Sequence, residues 1–347
     1  MVRAYAKKPW DLQTNESFQP RVTILVPVHN EEKNVKQKLV NISQVSYPHE
    51  LIEVIVVDDD SRDKSASIVE DFAKSNGQVR LLRQSPRVGK SAALNMALSS
   101  ATNSIIVVSD ADTLWKKDIL QVTLPYLSDP KIGAVTSVGI NLNEGESWVT
   151  RGEKVYLNLI SLMRVGESKL YSTIRFEGGF CAYKREAFDK FDCETGADDS
   201  GTALNIVQNG WRTILIPEAV FYTWFPTSLF GKARTKIRRA TQLIGLWAKC
   251  LKLMVRRRLL LPKRIAVPQF MLFVVNPIVF LTLCTVGFLT VALYPFSFFT
   301  LAFVSLIVFL LVFVRRTFVE LVVDNLILLS ALFSFLLGKR FVSWERR

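Results

Sequence analysis

The chain reads as an α/β domain followed by an all-α, apolar C-terminal region. Three observations predict this. Between Val22 and Ser109, short β-branched runs alternate with helical stretches. After Pro268 the sequence is dominated by long apolar segments, and a strongly basic stretch separates the two regions. Strands alternating with helices at such spacing imply a parallel sheet with right-handed crossovers.

In order, Val22–Val28 is expected to be a central strand, with His29-Asn-Glu-Glu32 as a polar turn and a helix from Asn34 to about Ser43. Glu53–Val57 is a second strand, ending in Asp58-Asp-Asp-Ser61, and a helix begins at Ser65. Val79–Leu82 is a short third strand and Ser91–Ser99 a helix. Ile105–Ser109 is a fourth strand that runs into Asp110-Ala-Asp112. At the carboxyl edge of a parallel sheet such acids face the crevice where ligands bind. Two hard oxygen donors one residue apart suit a divalent cation that can hold a diphosphate. Asp58–Asp60 would also serve as a helix cap, but three adjacent acids exceed what a cap needs. Arg87-Val-Gly-Lys90 pairs a glycine, which permits close backbone approach, with cations suited to phosphate. The Gly-x-x-x-x-Gly-Lys spacing of a P-loop is absent, as is a Gly-x-Gly-x-x-Gly after the first strand.

The basic stretch decides which partner the charge serves. The 347-residue chain carries a net charge of +13 and has no Asp or Glu between Ala219 and Val319. Its cations lie just before long apolar segments, which points to anionic lipid and not to nucleic acid. From Leu243 to about Leu261, Leu243, Trp247, Leu251 and Met254 share one helical face and Lys249, Lys252 and Arg256 another, the pattern of an interfacial helix. Arg256-Arg-Arg258 and Lys263-Arg264 then mark a cytosolic side.

Beyond Pro268 three apolar segments follow, at 270–294, 298–314 and 318–337. Asn276-Pro277 is expected to kink the first. Arg315-Arg316 separates the second from the third, and Lys339-Arg340 and Arg346-Arg347 close the chain. Glu320 and Asp324 inside the third would be costly in lipid and should face protein, water or substrate. The four cysteines, Cys181, Cys193, Cys250 and Cys284, lack metal-ligand spacing and read as reduced thiols. The N-terminal Met-Val-Arg-Ala-Tyr-Ala-Lys-Lys lacks the apolar core of a signal peptide.

Four motifs in order carry a resemblance. They are Pro27-Val-His-Asn-Glu31, Val-Val-Asp-Asp-Asp-Ser61, Arg87-x-Gly-Lys-x-x-Ala-Leu-Asn95 and Asp110-Ala-Asp112. Over about residues 20–245 the chain resembles the inverting family 2 glycosyltransferases. The resemblance implies a GT-A (Rossmann-like) nucleotide-sugar domain, followed here by basic amphipathic interface helices and a small transmembrane bundle. The expected divisions are an arm at 1–20, the GT-A domain at 21–228, interface helices at 229–268 and a membrane region at 269–347.

The same resemblance implies residue roles. Pro27 and Glu31 would line the nucleotide pocket, with Asp59 at the base and Lys90 near the phosphates. Asp110 would touch the nucleotide, and Asp110 with Asp112 would hold Mg²⁺ or Mn²⁺. Phe176-Glu-Gly-Gly-Phe-Cys-Ala-Tyr-Lys184 would form the acceptor side, centred on Glu177, Gly178, Gly179 and Phe180. Its residues also read as a Gly-rich turn before a helix. Gly196-Ala-Asp-Asp-Ser200 is similar to the family's Thr-Glu-Asp motif, and Gly210 stands eleven residues after Asp199 as the family glycine does. Asp199 is therefore expected to be the catalytic base and Asp198 its acceptor-side neighbour, although the pair could also cap the helix that follows.

Processive relatives carry Gln-x-x-Arg-Trp where this chain has Thr235-Lys-Ile-Arg238-Arg239. Arg238 can still pair with a diphosphate, whereas the aromatic platform is missing. The expectation is thus a membrane-bound enzyme with a cytosolic catalytic domain that moves one sugar from a nucleotide sugar to a lipid-linked acceptor. The family resemblance leaves GDP-mannose slightly ahead of UDP-sugars, and the residues themselves do not decide between them. A processive polysaccharide synthase and an inactive nucleotide-sugar-binding scaffold are the alternatives.

Overall fold

The computed structural model describes residues 2–339. The chain divides into two units, one holding the residues up to Ser228 with Arg258–Pro262, the other holding Leu229–Arg257 and the helices from Lys263 onward. The closing cations Arg340, Arg346 and Arg347 lie outside the described residues.

The first unit begins with α1 (Val2–Ala6), then β1 (Val22–Val28), α2 (Val35–Ser43), β2 (Ile52–Asp59), α3 (Ser65–Ser75), β3 (Val79–Gln84), α4 (Lys90–Ser100) and β4 (Ile105–Val108). It continues through β5 (Leu114–Trp115), α5 (Ile119–Thr123), β6 (Ile132–Asn141), α6 (Trp148–Leu170), β7 (Cys181–Lys184), α7 (Asp198–Gln208) and β8 (Arg212–Thr223). The eight strands form one sheet in the order β3-β2-β1-β4-β7-β6-β8-β5. The first four are parallel, as the sequence leads one to expect. Their β-branched runs are buried on both faces, which is why they read as continuous apolar stretches and not as alternating ones.

The register explains a proline in a central strand. Pairing of β1 with β4 covers Val22–Leu25, and Ser109 N–H donates to the Leu25 carbonyl at 3.1 Å. Pro27, two residues on, therefore sits on the side where β4 has already ended and no donor is required.

The second half of the sheet is mixed. β7 runs antiparallel to β4 and β6, while β6 and β8 are parallel. Antiparallel pairing sets Cys181, the first residue of β7, opposite Val108, the last of β4. The Glu177–Phe180 segment is thereby delivered to the edge where β1, β2 and β4 end. This corrects the reading of the segment as a turn before a helix: the glycines lead into a strand.

The second unit contains α8 (Leu229–Val255), α9 (Lys263–Phe270), α10 (Asn276–Leu293), α11 (Phe298–Phe313) and α12 (Arg315–Leu336). The amphipathic helix expected to reach Leu261 stops at Val255, and Arg257 takes a φ of +55° among three adjacent arginines. A π turn at Met271–Val275 joins α9 to α10, placing Pro277 in the first turn of α10, where its missing N–H costs little. Among the described residues two helices, Lys263–Leu293 and Thr317–Leu336, are long and apolar enough to cross a membrane, and Phe298–Phe313 is a shorter apolar helix. Glu320 and Asp324 face protein. Glu320 pairs with the fully buried Lys232 of α8, and Asp324 lies 3.3 Å from Lys236. Asn276 donates to Asn325 at 2.9 Å, tying α10 to α12.

Candidate active site

Four segments meet at the carboxyl edge of β1, β2 and β4. The first is the turn after β1. Asn30 occupies the left-handed region (φ +56°), and its side-chain amide donates to His29 Nε2 at 2.9 Å. His29 Nδ1 must then carry the proton it donates to the Asp59 carbonyl at 2.7 Å. Glu31 accepts from Asn34 Nδ2 at 2.6 Å, and its N–H donates to Ser65 Oγ at 2.7 Å. Pro27 is buried at the end of β1.

The second segment is the loop 84–89. Asp59 is fully buried, and its carboxylate accepts from Gln84 Nε2 (2.6 Å), Val88 N–H (2.9 Å) and Gly89 N–H (2.9 Å). Both oxygens thus anchor the loop, and because the side chain is fully buried, contact with a nucleotide base would require the loop to move. Gly89 has a φ of +113°, which a side chain would strain, and it immediately precedes α4. The bend delivers Lys90, first residue of α4, into the cleft.

Lys90 is the centre of the arrangement. Its ammonium lies 2.9 Å from Asp110, 2.9 Å from Asp198 and 3.4 Å from Asp199. Lys90 and Asp199, 109 positions apart in sequence, thereby meet. Burial works against the charge on Lys90, yet the three carboxylates outweigh it and hold the ammonium well above its ordinary range. Asp199 moves upward too. Burial is the main cause, the Asp198 and Asp110 charges add to it, and Lys90 opposes it. Asp199 Oδ1 is buried with no hydrogen-bond partner among the described residues. Asp198 and Asp199 lie in the first turn of α7, where the helix dipole favours negative charge.

The acceptor-side glycines close the cleft. Asp110 N–H donates to the Gly178 carbonyl at 2.8 Å. A Cβ on Gly178 would lie 2.5 Å from Asp110 Oδ2 and 2.7 Å from Lys90 Nζ, so any other residue would displace the ends of these two side chains. The Gly179 carbonyl accepts from Trp115 Nε1 at 2.7 Å, and Phe180 packs edge-on to Trp115 with centroids 5.2 Å apart. Ser200, next to Asp199, bridges to the Phe176 backbone at 3.2 Å. The structure therefore brings Lys90, Asp110, Asp198 and Asp199 together with Gly178, and sets Asp112 two residues from Asp110. Arg238 lies half-buried on α8, in the helical unit.

Two buried cations were not anticipated. Lys38 of α2 is completely buried, and its ammonium lies 4.1 Å from the centre of the Trp115 ring with no hydrogen-bond partner among the described residues. Burial drives its pKa well below the usual lysine range, against the pull of Asp110 and Asp112. Arg164 of α6, 1% exposed, donates to Glu177 Oε1 at 2.7 Å and fixes the residue before the two glycines. The signal for Lys38 was present: it shares the i, i+3, i+4, i+7 face with Val35, Leu39 and Ile42.

The edge-of-sheet acids, the basic loop and the Gly-Gly turn define a nucleotide-sugar type of cleft, and comparison with known proteins agrees. Residues 23–192 match the profile of "Glycosyl transferase family 2". A solved mannosyltransferase, PcManGT from Pyrobaculum calidifontis in complex with GDP-Man and Mn2+, is 31% identical, with a TM-score of 0.82 over 97% of this chain and 93% of that one. The chain belongs to glycosyl transferase family 2, and its fold is GT-A. Among curated relatives, the probable glycosyltransferase YdaM of Bacillus subtilis is 27% identical over 65% of this chain and 56% of its own length. The beta-monoglucosyldiacylglycerol synthase of Nostoc sp. is 30% identical over 58% of this chain and 44% of its own length. The chain spans about half the length of these curated relatives.

Proposed function

We propose that the protein is a membrane-bound, inverting, metal-dependent hexosyltransferase that moves one sugar from a nucleotide-sugar donor, GDP-mannose by preference, to a lipid-linked acceptor. The observation that carries this reading is the convergence of Asp110, Asp198 and Asp199 on one ammonium. The GDP-Man and Mn2+ of the solved mannosyltransferase support the choice of donor and ion. The lipid product in the name of the Nostoc relative supports a lipid acceptor.

Asp110 and Asp112 offer two hard oxygens one residue apart, the donor chemistry a divalent cation takes, and with no Cβ at Gly178 the Asp110 carboxylate and the Lys90 ammonium occupy the space beside it. Asp110 and Asp112 would hold Mg²⁺ or Mn²⁺, which when bound neutralises charge developing on the departing diphosphate. Lys90 is placed for the same phosphates. Pro27, Glu31 and Asp59 line the nucleoside end, and Arg238 is assigned to the diphosphate. Glu177, Gly178, Gly179, Phe180 and Asp198 frame the acceptor.

Asp199 takes the proton of the acceptor hydroxyl as that oxygen bonds to the anomeric carbon and the bond to the diphosphate breaks on the opposite face. Burial beside Asp198 raises the proton affinity of Asp199 toward operating pH, where a general base is most effective. The apolar helices would anchor the domain to the cytosolic face of the membrane.

The test is transfer of labelled mannose from GDP-mannose to a polyprenyl-phosphate or lipid-linked glycan by the full chain in nanodiscs with Mn²⁺. A single added sugar, lost in Asp199→Asn with donor binding kept, supports the reading. A long polymer would favour a processive synthase, and donor binding without any transfer would favour a scaffold.

A further inference from the structure

The basic motif that opens on Arg87 closes on Asn95, whose side chain bonds away from the cleft. Asn95 lies on α4, about 7.5 Å beyond Lys90 along the helix axis. Its amide reaches across to the loop that precedes α7. Oδ1 accepts from Phe191 N–H at 2.7 Å, and Nδ2 donates to the Phe191 carbonyl at 3.2 Å and to Cys193 Sγ at 3.4 Å. One side chain thus takes both backbone groups of Phe191, as a neighbouring strand would. Phe191 is itself fully buried, edge-on to Tyr183 and Phe188 with ring centroids 5.7 and 5.1 Å apart. The amide therefore grips a fixed point of the chain and not a loose loop.

From that point the bonds run to the catalytic helix. Asp192, the next residue, is buried, and its N–H donates to Thr202 Oγ1 at 2.9 Å. Thr202 Oγ1 in turn donates to the Asp198 carbonyl at 2.6 Å. The Asp192 carboxylate accepts from Thr195 N–H at 2.9 Å and from Thr195 Oγ1 at 2.6 Å. A Cβ on Gly201 would lie 2.4 Å from the same Asp192 oxygen, so α7 packs directly on this carboxylate. α7 has no side-chain cap of its own, because the residue before it is Ala197. Its first turn, with Asp198 and Asp199, is held from two sides instead. Ser200 ties it to Phe176 on the acceptor side. Thr202, Asp192 and Asn95 tie it to α4 on the donor side.

We infer that Asn95, through Asp192 and Thr202, is a positioning residue for Asp199: it locks the start of α7 to the helix that carries Lys90. The chemistry needs such a lock. Lys90 pairs with both Asp198 and Asp199, and donor phosphates that draw on the same ammonium weaken those pairs. Two like charges in one helical turn then lose the cation between them. Asp199 keeps its place only if something other than Lys90 holds the turn, and the amide and hydroxyl bonds do so without charge. Because α4 carries Lys90 at its start and Asn95 little more than one turn later, one rigid element sets both the phosphate contact and the base. A misplacement of about 1 Å at reacting groups costs about 10²-fold in rate. The inference rests on the role of Asp199 as base proposed above.

A double-mutant cycle tests it in the full chain in nanodiscs with Mn²⁺. Turnover is read as transfer of labelled mannose from GDP-mannose to a lipid-linked glycan, and donor binding as GDP affinity by titration calorimetry. Asn95→Ala is expected to lower kcat by about 10–100-fold, with GDP affinity and the donor KM kept. Thr202→Val cuts the same path from the α7 side and is expected to do likewise, while Thr202→Ser, which keeps the hydroxyl, recovers most of the turnover. In an Asp199→Asn background, Asn95→Ala is expected to lower the residual turnover no further, because residues that act as a unit are not additive. An equal fold-loss in both backgrounds would make Asn95 a general structural contact and overturn the inference while leaving the base assignment intact. Wild-type kcat in Asn95→Ala, or loss of GDP affinity in step with kcat, would overturn it as well. Wild-type turnover in Asp199→Asn alone would overturn the base assignment, and the inference with it.

Discussion

Replacing Asp199 by Asn separates the chemistry of the acidic cluster from its structural burden. Asp199 lies 3.4 Å from the Lys90 ammonium, an attraction of about 5 kcal/mol at an effective dielectric constant of 20. Burial, reinforced by the Asp198 and Asp110 charges, nevertheless outweighs that attraction and holds the carboxyl well above its ordinary value. The unfolded chain releases this proton near pH 3.9, about where a free Asp titrates, while the native cluster keeps it to higher pH. The native state therefore binds more protons across that window, and its stability falls as pH rises through it. Each tenfold increase in proton affinity costs about 1.4 kcal/mol once the pH exceeds both pKa values. Asn has no proton to lose. In detergent-solubilised protein without metal or donor, the melting temperature of Asp199→Asn relative to wild type should rise as pH is raised above about 4 and level off once the native carboxyl has ionised. Turnover should fall by about 10²–10⁴-fold, the range for loss of a general base, with donor affinity kept. A variant that becomes relatively less stable as pH rises would refute the electrostatic account. One that keeps wild-type turnover would refute the role of Asp199.

The remaining predictions follow from neighbouring contacts. Asp112→Asn removes one of two hard oxygens and should weaken Mn²⁺ affinity by at least about tenfold, or about 1.4 kcal/mol, read by titration calorimetry. Gly178→Ala inserts a Cβ 2.5 Å from Asp110 Oδ2 and 2.7 Å from Lys90 Nζ. It should cost about 1–3 kcal/mol in thermal unfolding and lower kcat more than it raises KM. The acidic limb of kcat/KM against pH should lie above the ordinary Asp range, and Asp198→Asn should move it down, because the Asp198 charge helps raise Asp199. Lys232→Met strips the partner from Glu320 in the helical unit and should destabilise that unit by about 3–5 kcal/mol, with Glu320→Gln in the same chain restoring part of the loss.

The parallel half of the sheet was legible because strands buried on both faces leave long β-branched runs, as in Ile105–Val108, and because polar residues follow them at the ligand edge. The rest was hidden for identifiable reasons. β7 is four residues long and owes its existence to pairing with β4 and β6 far away in sequence, so its glycine turn gave no sign of a strand. β5 has two residues and no periodicity to read. The convergence on Lys90 could be expected only through the resemblance, since no local pattern joins position 90 to position 199. Lys38 and Arg164 were passed over because a charged residue on an apolar face usually snorkels to water. Here Trp115 and Glu177, contributed by other segments, cover them instead.

The most direct test of the central claim is the anomeric configuration of the first transferred sugar, read by NMR on product formed in a single turnover from GDP-mannose with Mn²⁺. One carboxylate acting as base opposite the departing diphosphate gives a configuration inverted from that of the donor. A retained configuration would contradict the account, because it would require a different reaction course at these same carboxylates.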